Sequence, residues 1–330
     1  MKLGNFFRSG LTGMDSNGLF YDLNIGIVRK YMSKSDQDKK LPSNSIYIVS
    51  TSHLYNSFIK VSSKIKLICH PFGEKNNHFF GGLPCYDICE SDMVDPCWCE
   101  NKKLERVVDV MCITNDSPHG MSCKGFHYIP CIGEVCKKLG LSFVVIDYTG
   151  KKYKDKSDKD LNTVRKYIKQ SGIKILRGNP KISHGKVNGI MQGAKIMCIP
   201  NYLDASPKII TESIIRGVPV ALGDSIVGGK KYINKGNGVI FSCAKTFKDY
   251  NNDKIKYQNS LNSVLSEMIS KSYNRNDMIH SHMQSWGLIN SSKKLADILS
   301  LHGLINKDIK YVFYPEFKKH IGRLNEVLYK

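Results

Sequence analysis

Apolar positions in the second half of the chain fall in short, nearly continuous runs, each followed by a stretch where they recur every three or four residues. The runs at 106–114, 141–148, 173–178, 194–199, 219–223 and 238–242 are rich in aliphatic residues and bounded by Gly, Pro or polar clusters. Runs of that kind read as strands covered on both faces, which is the signature of a parallel sheet. Helical periods lie between them, from the loop at Gly125 to about Lys138, over 160–172 ending on Gly172, from about Ser183, and over 207–216. Alternation of strands and helices predicts an α/β fold with right-handed crossovers.

The first hundred residues are patterned less regularly. A possible opening strand at 2–7 is followed by a helix over 13–32, expected from the spacing of Leu19, Leu23, Ile27 and Met32, and by β-rich runs at 45–50 and 64–70. This order is the beginning of another α/β sheet. Residues 71–104 show no period and are rich in Gly, Pro, Cys and acid, so they read as a long connection leading to a boundary near 100–105. The expected organisation is an N-terminal domain over 1–104, short for its class, a C-terminal domain over 105–300, and a helical extension over 301–330. A chain of 330 residues has room for two such domains.

The most informative stretch is 201–225, NYLDASPKIITESIIRGVPVALGDS. Ser206 followed by Pro207 predicts a helix start, with the hydroxyl as cap and proline in the first turn. Ile209, Ile210, Ile214 and Ile215 make one apolar face, and Gly217 is the expected stop. The helix begins beyond the carboxyl end of the strand at 194–199, where open α/β sheets bind ligands and where free amides favour a phosphate. Asp204 and Glu212 are poor phosphate ligands but good acceptors for hydroxyls: Glu212 for a ribose diol, Asp204 for a sugar. The plainer reading of the same residues is an exposed helix position and a turn former.

Charge widens the picture without changing the site. Forty-nine Lys+Arg against 29 Asp+Glu leave a net charge of +20, which attracts anionic partners. The lysine-rich run at 151–169 is interrupted by aspartates and lacks interleaved aromatics, so it reads as a solvated face and not as a nucleic-acid groove. Contact with an anionic membrane surface is the other use open to such a charge. The 11 cysteines are odd in number, and no leader pattern follows Met1, so the thiols are expected to be reduced and the protein cytoplasmic. Cys85, Cys89, Cys97 and Cys99 cluster, but their C-x3-C-x7-C-x-C spacing fits a zinc site poorly, and no metal is expected. Neither a GxGxxG nor a P-loop motif occurs.

The stretch from Pro200 to Phe241 resembles the donor-binding segment of retaining GT-B glycosyltransferases of family 4. That family's pattern reads acid-x7-Glu, a helix, G-x-P, and a later Gly-Asn-Gly turn. Asp204 and Glu212 fall on the acidic positions, Gly217 and Pro219 on the G-x-P, and Gly236, Asn237 and Gly238 on the turn. Upstream, Lys124–Gly125 matches the family's Lys-Gly, and the likeness runs over about 105–300, with Trp286 near its end.

The resemblance implies two Rossmann-like domains facing a cleft. It also implies a nucleotide-diphosphate sugar as donor, no cofactor, and transfer with retention to a carbohydrate, lipid-linked or protein acceptor. Lys124 then stabilises the leaving diphosphate together with the amides near Ser206 and Pro207. Gly10 and Gly13 resemble the glycine loop of the N-terminal domain, and Asn237 and Gly238 line the donor pocket. Three positions depart from the pattern: Asp204 stands where Glu is usual, His119 where the family has Arg, and the N-terminal domain is short. These departures keep an inactive nucleotide-sugar or partner-binding relative as an alternative, and the net charge keeps a nucleic-acid-associated protein as another.

Overall fold

The computed structural model describes residues 11–14, 20–22, 46–49, 65–69, 79–80, 83–86, 88, 90–94, 105–147, 158–177, 182, 184–202, 204 and 207–303. Contacts divide the chain into two compact units, Met1–Cys97 with Met283–Lys330, and Trp98–His282.

In the first unit, strands β1 (Leu11–Met14), β2 (Phe20–Asp22), β3 (Ile46–Val49), β4 (Ile65–Cys69), β5 (Phe79–Phe80) and β6 (Leu83–Tyr86) form a mixed sheet in the order β2-β1-β3-β4-β6-β5. The strands expected at 45–50 and 64–70 are present and pair in parallel. The described residues of the helix expected over 13–32, namely 13–14 and 20–22, are strand instead. Within that range Gly13 pairs with Tyr21 and Met14 with Phe20 in an antiparallel ladder. The sequence between them, Asp15-Ser16-Asn17-Gly18, is made of turn formers that a helix interior disfavours, and the three-to-four spacing of the leucines was the weaker signal. The opening strand expected at 2–7 lies outside the described residues.

The chain returns to this unit at its other end. The hydroxyl of Ser291 donates to the carbonyl of Asp92 at 2.7 Å, and Lys294 lies 5.3 Å above the Trp286 ring.

In the second unit, β7 (Val108–Thr114), β8 (Phe143–Asp147), β9 (Lys174–Arg177), β10 (Ala194–Ile199), β11 (Val220–Gly223) and β12 (Gly238–Phe241) form a sheet in which all pairings are parallel. All six lie where the apolar runs predict them. The spatial order β12-β11-β10-β7-β8-β9 reverses direction between β7 and β10, which is the doubly wound Rossmann arrangement.

The connections are α1 (Pro118–Ser122), α2 (Ile129–Leu139), α3 (Lys159–Gln170), α4 (His184–Met191), α5 (Lys208–Ile214), α6 (Phe247–Asn252), α7 (Lys254–Ser270) and α8 (Arg275–Ser285). Helix α2 shows how they pack: Ile129, Ile132, Val135 and Cys136 line one face and are fully buried with Val110, Cys112 and Val145 of the sheet. Each buried aliphatic side chain contributes about 1.5–3 kcal/mol. Gly140 then ends the helix in the left-handed conformation that glycine alone adopts without strain.

Five cysteines, Cys112, Cys131, Cys136, Cys198 and Cys243, belong to this core as free thiols. Burial pushes the Cys112, Cys131 and Cys136 thiols up to about 12, so they stay protonated and act as small apolar side chains.

Candidate functional site

The loops after β7, β10 and β11 meet at the carboxyl edge of the second sheet, where the strand order reverses. Two glycines set how closely they approach. Gly125 has φ of +73°, and a Cβ there would lie 2.5 Å from Pro200 Cγ and 2.9 Å from the Pro200 backbone. Gly229 has φ of +89°, and its Cβ would lie 2.5 Å from Ile210 Cδ1 and 2.7 Å from Pro207 Cγ. No other residue fits either place without displacing backbone or proline ring. Backbone bonds then lock the three loops: Tyr202 N donates to Cys123 O at 3.1 Å, Val227 N to Tyr202 O at 3.1 Å, and Gly228 N to Asp204 O at 3.0 Å.

This packing brings Lys124 and Asp204 together across 80 residues of chain. Lys124 Nζ lies 2.5 Å from Asp204 Oδ2, with side-chain exposures of 27% and 10% respectively. Asn201 Nδ2 donates to the same oxygen at 2.9 Å. Asp204 Oδ1 takes no hydrogen bond among the described residues, and Asn201 Oδ1 is buried without a donor. The arrangement is therefore a fixed cation beside a carboxylate with one oxygen committed and one open, both side chains largely shielded from water, which strengthens their attraction. Asn201 was not singled out from the sequence; its signal is that it follows Pro200 at a strand end directly before the acidic loop.

Beneath that loop, a second charged group fixes the end of β7. The Asp116 carboxylate accepts from Arg165 Nε at 2.6 Å and from Arg177 Nη2 at 2.5 Å, and Asp147 accepts from Arg177 Nε at 2.9 Å. Both carboxylates are fully buried. Ser117 caps α1 by accepting from Gly120 N at 3.1 Å, and a Cβ on Gly120 would lie 1.8 Å from Asn115 O. Sequence reasoning missed this network because its members stand at the ends of three strands and on helix α3, which become neighbours only in the folded domain.

The other predicted residues are placed as follows. Glu212 is half-buried in α5, and its carbonyl accepts from Arg216 Nη1 at 2.5 Å. The helix begins one residue later than expected: Pro207 occupies the cap position, with φ of −77° and ψ of 85° and no side-chain capping bond. Ser206, expected as the cap, lies outside the described residues, as does Gly10. Gly217 ends α5 as expected, with φ of +66° and Val218 N donating back to Ser213 O at 3.0 Å. His119 is exposed at the second position of α1. Gly13 lies within strand β1, not in a loop, opposite Tyr21 and Tyr47.

Asn237 and Gly238 need correction. They stand at the amino-terminal edge of the sheet, opposite the crevice, where Gly238 pairs with Val220 at the start of β11. The Asn237 side chain is spent on its own turn, accepting from Asn234 N and donating to Tyr232 O, each at 2.9 Å. The resemblance put them in the donor pocket; the parallel register puts them a strand length away.

No group of three or more metal-ligating side chains occurs among the described residues, and of the expected cysteine cluster only Cys85, in β6, has a described backbone. No helix among the described residues is long and apolar enough to cross a membrane.

No protein-family model matches the chain, and no curated protein matches it. Solved structures do. Two of them, the GtfA/B complex and the pneumococcal O-GlcNAc transferase GtfA in complex with UDP and GlcNAc, each cover 76% of this chain at 11% identity and a TM-score of 0.53. TarM covers 86% at 12% identity and 0.52, and the trehalose-6-phosphate synthase OtsA covers 83% at 9% identity and 0.53. The likeness is to GT-B glycosyltransferases. At such identities it is a likeness of fold: α/β, Rossmann-like, of the GT-B kind. The chain spans about half the length of the GtfA structures, 48% and 47%, 59% of TarM and 76% of OtsA.

Proposed function

We propose that the protein is a glycosyltransferase that takes a sugar from a nucleotide-diphosphate sugar and passes it, with retention, to a carbohydrate, lipid-linked or protein acceptor. The observation that carries this reading is the Lys124–Asp204–Asn201 group at the point where the strand order reverses. An ammonium and a carboxylate there match the two ends of a nucleotide sugar, charge on the diphosphate and hydroxyls on the sugar. Lys124 would stabilise the charge that develops on the departing diphosphate, Asp204 would accept from a sugar hydroxyl through its open oxygen, and Glu212 would accept from the ribose diol. In a retaining transfer of this type the leaving phosphate itself takes the acceptor's proton, so the protein supplies orientation and electrostatics and no nucleophile.

Thermal shift of the wild type and of Glu212→Ala against UDP, GDP, ADP and their sugar conjugates tests the reading. A nucleotide at about 100 times its Kd adds about 2.7 kcal/mol, which raises Tm by several degrees. The expected result is a shift by one nucleotide class in the wild type and none in Glu212→Ala. A shift of equal size in both proteins would remove Glu212 from the site.

A further inference from the structure

We propose that a cavity between helices α2 and α3 binds an α-amino acid with an apolar side chain. The cavity measures about 500 Å³, inside the range of about 300–1,000 Å³ usual for small-molecule sites. Helix α2, the end of α3 with the turn after it, and the chain entering β8 enclose it. Gly133 lets these segments meet, since a Cβ there would lie 2.6 Å from Ile173 Cδ1 and 3.5 Å from Tyr167 Oη. Leu141 and Phe143 open β8 and Ile173 precedes β9, so the cavity lies at the amino-terminal end of the sheet, away from the crevice.

Its charged groups are of both signs, and neither is spent on the other. Glu134 and Lys137 line the cavity three residues apart on α2, a spacing at which side chains of opposite charge commonly pair. Glu134 is drawn instead toward two other helices: its Oε2 accepts from Tyr250 Oη of α6 at 3.4 Å and from Gln258 Nε2 of α7. Among the described residues Glu134 Oε1 takes no hydrogen bond, and Lys137 has no carboxylate partner. Burial raises the pKa of the Tyr167 phenol, and the nearby Glu134 carboxylate raises it further, so the ring stays neutral beside that charge.

The chemistry of the occupant follows from this set. A carboxylate with one oxygen held and one open, beside the rings of Phe143 and Tyr167, suits an ammonium group. A bare cation is opposed by the net charge of +20 and by Lys137 at the same wall. An occupant that carries its own carboxylate meets Lys137 with one end and Glu134 with the other. Leu141, Phe143 and Ile173 then receive an apolar side chain. The cavity shares no residue with the crevice, so the site stands whether or not the glycosyltransferase reading holds.

The test is isothermal titration calorimetry at physiological ionic strength with L-leucine and L-phenylalanine, and with two analogues of the first, L-leucinamide without the carboxylate and 4-methylpentanoate without the ammonium. The proteins are the wild type, Glu134→Gln, Lys137→Met and Lys138→Met. Glu134→Gln keeps an acceptor for Tyr250 and Gln258 and removes only the charge, and Lys138 is an exposed lysine of α2 outside the cavity lining. The wild type is expected to bind at least one of the two amino acids, with affinity about tenfold weaker in Glu134→Gln and in Lys137→Met and unchanged in Lys138→Met. Each analogue should likewise bind about tenfold more weakly than L-leucine. Failure of the wild type to bind either amino acid, equal affinity in Glu134→Gln, or an analogue that matches L-leucine would overturn the proposal. Ser171→Phe, an exposed position at the end of α3 that lines the cavity, should fill it and abolish binding with Tm unchanged; wild-type affinity in that folded variant would place the amino acid elsewhere and overturn the site.

Discussion

The two edges of the parallel sheet handle charge in opposite ways. At the carboxyl edge, Asp116 and Asp147 hold two arginines, and Lys124 meets Asp204. At the amino edge, Arg216 is buried with a carbonyl for company, and Arg106 and Arg275 stand beside it. A buried charge costs little only when its partner is fixed in place. The carboxyl edge therefore has its charges paired across loops within the fold, whereas at the amino edge the buried Arg216 leans on a backbone carbonyl. The same sheet supplies both, because its parallel strands send all loops of one kind to one side.

The largest expected break in this contrast comes from the carboxyl edge. Asp116→Ala removes the buried carboxylate that Arg165 and Arg177 share, leaving Arg177 with Asp147, and should cost about 3–5 kcal/mol, measured as a lower urea midpoint with an unchanged slope. A loss below about 1 kcal/mol would mean that the network is decorative and that the glycines alone hold the loops.

Next in size is a pH effect. His282 is 3% exposed, neither ring nitrogen has a hydrogen-bond partner, and burial brings its pKa from 6.5 down to about 4. The unfolded chain binds a proton at this residue that the folded chain refuses, so its contribution is complete above about pH 6.5 and is lost as pH falls toward 4. The loss amounts to about 3 kcal/mol over that window. His282→Leu should flatten this part of the stability profile; an unchanged slope would assign the acid sensitivity elsewhere.

A smaller effect tests the Asp204 site itself. Asn201→Leu removes a hydrogen bond to Asp204 Oδ2 and should weaken nucleotide-sugar binding about tenfold, or about 1.4 kcal/mol, with the fold intact. Unchanged affinity would indicate that Lys124 alone orients the carboxylate.

How far the sequence carried depends on the range of the interaction. The six strands of the second sheet were legible because each is buried on both faces and so reads as a continuous apolar run, and Gly217 was legible because a helix stop is local chemistry. Asp204 was reached from the acidic loop before a helix start and Lys124 only through resemblance, and their pairing was not foreseen, since nothing in composition links residues 80 positions apart. The antiparallel pair at 11–22 was obscured by a leucine spacing that imitated a helix across turn residues. The arginines at 106, 216 and 275 carry no sequence signal, because the turn at Gly217 that gathers them exists only in three dimensions.

The smallest expected effect falls on Asn237, and it sharpens the contrast most directly. Its amide makes two bonds to its own turn, so Asn237→Ala should cost about 1 kcal/mol of stability. Being a strand length from the Asp204 site, the substitution should leave nucleotide-sugar affinity unchanged. Matched measurements of Tm and of ligand affinity on one preparation separate the two effects. If affinity fell together with stability, the donor would have to extend past the sheet, and the division of labour between its edges would fail.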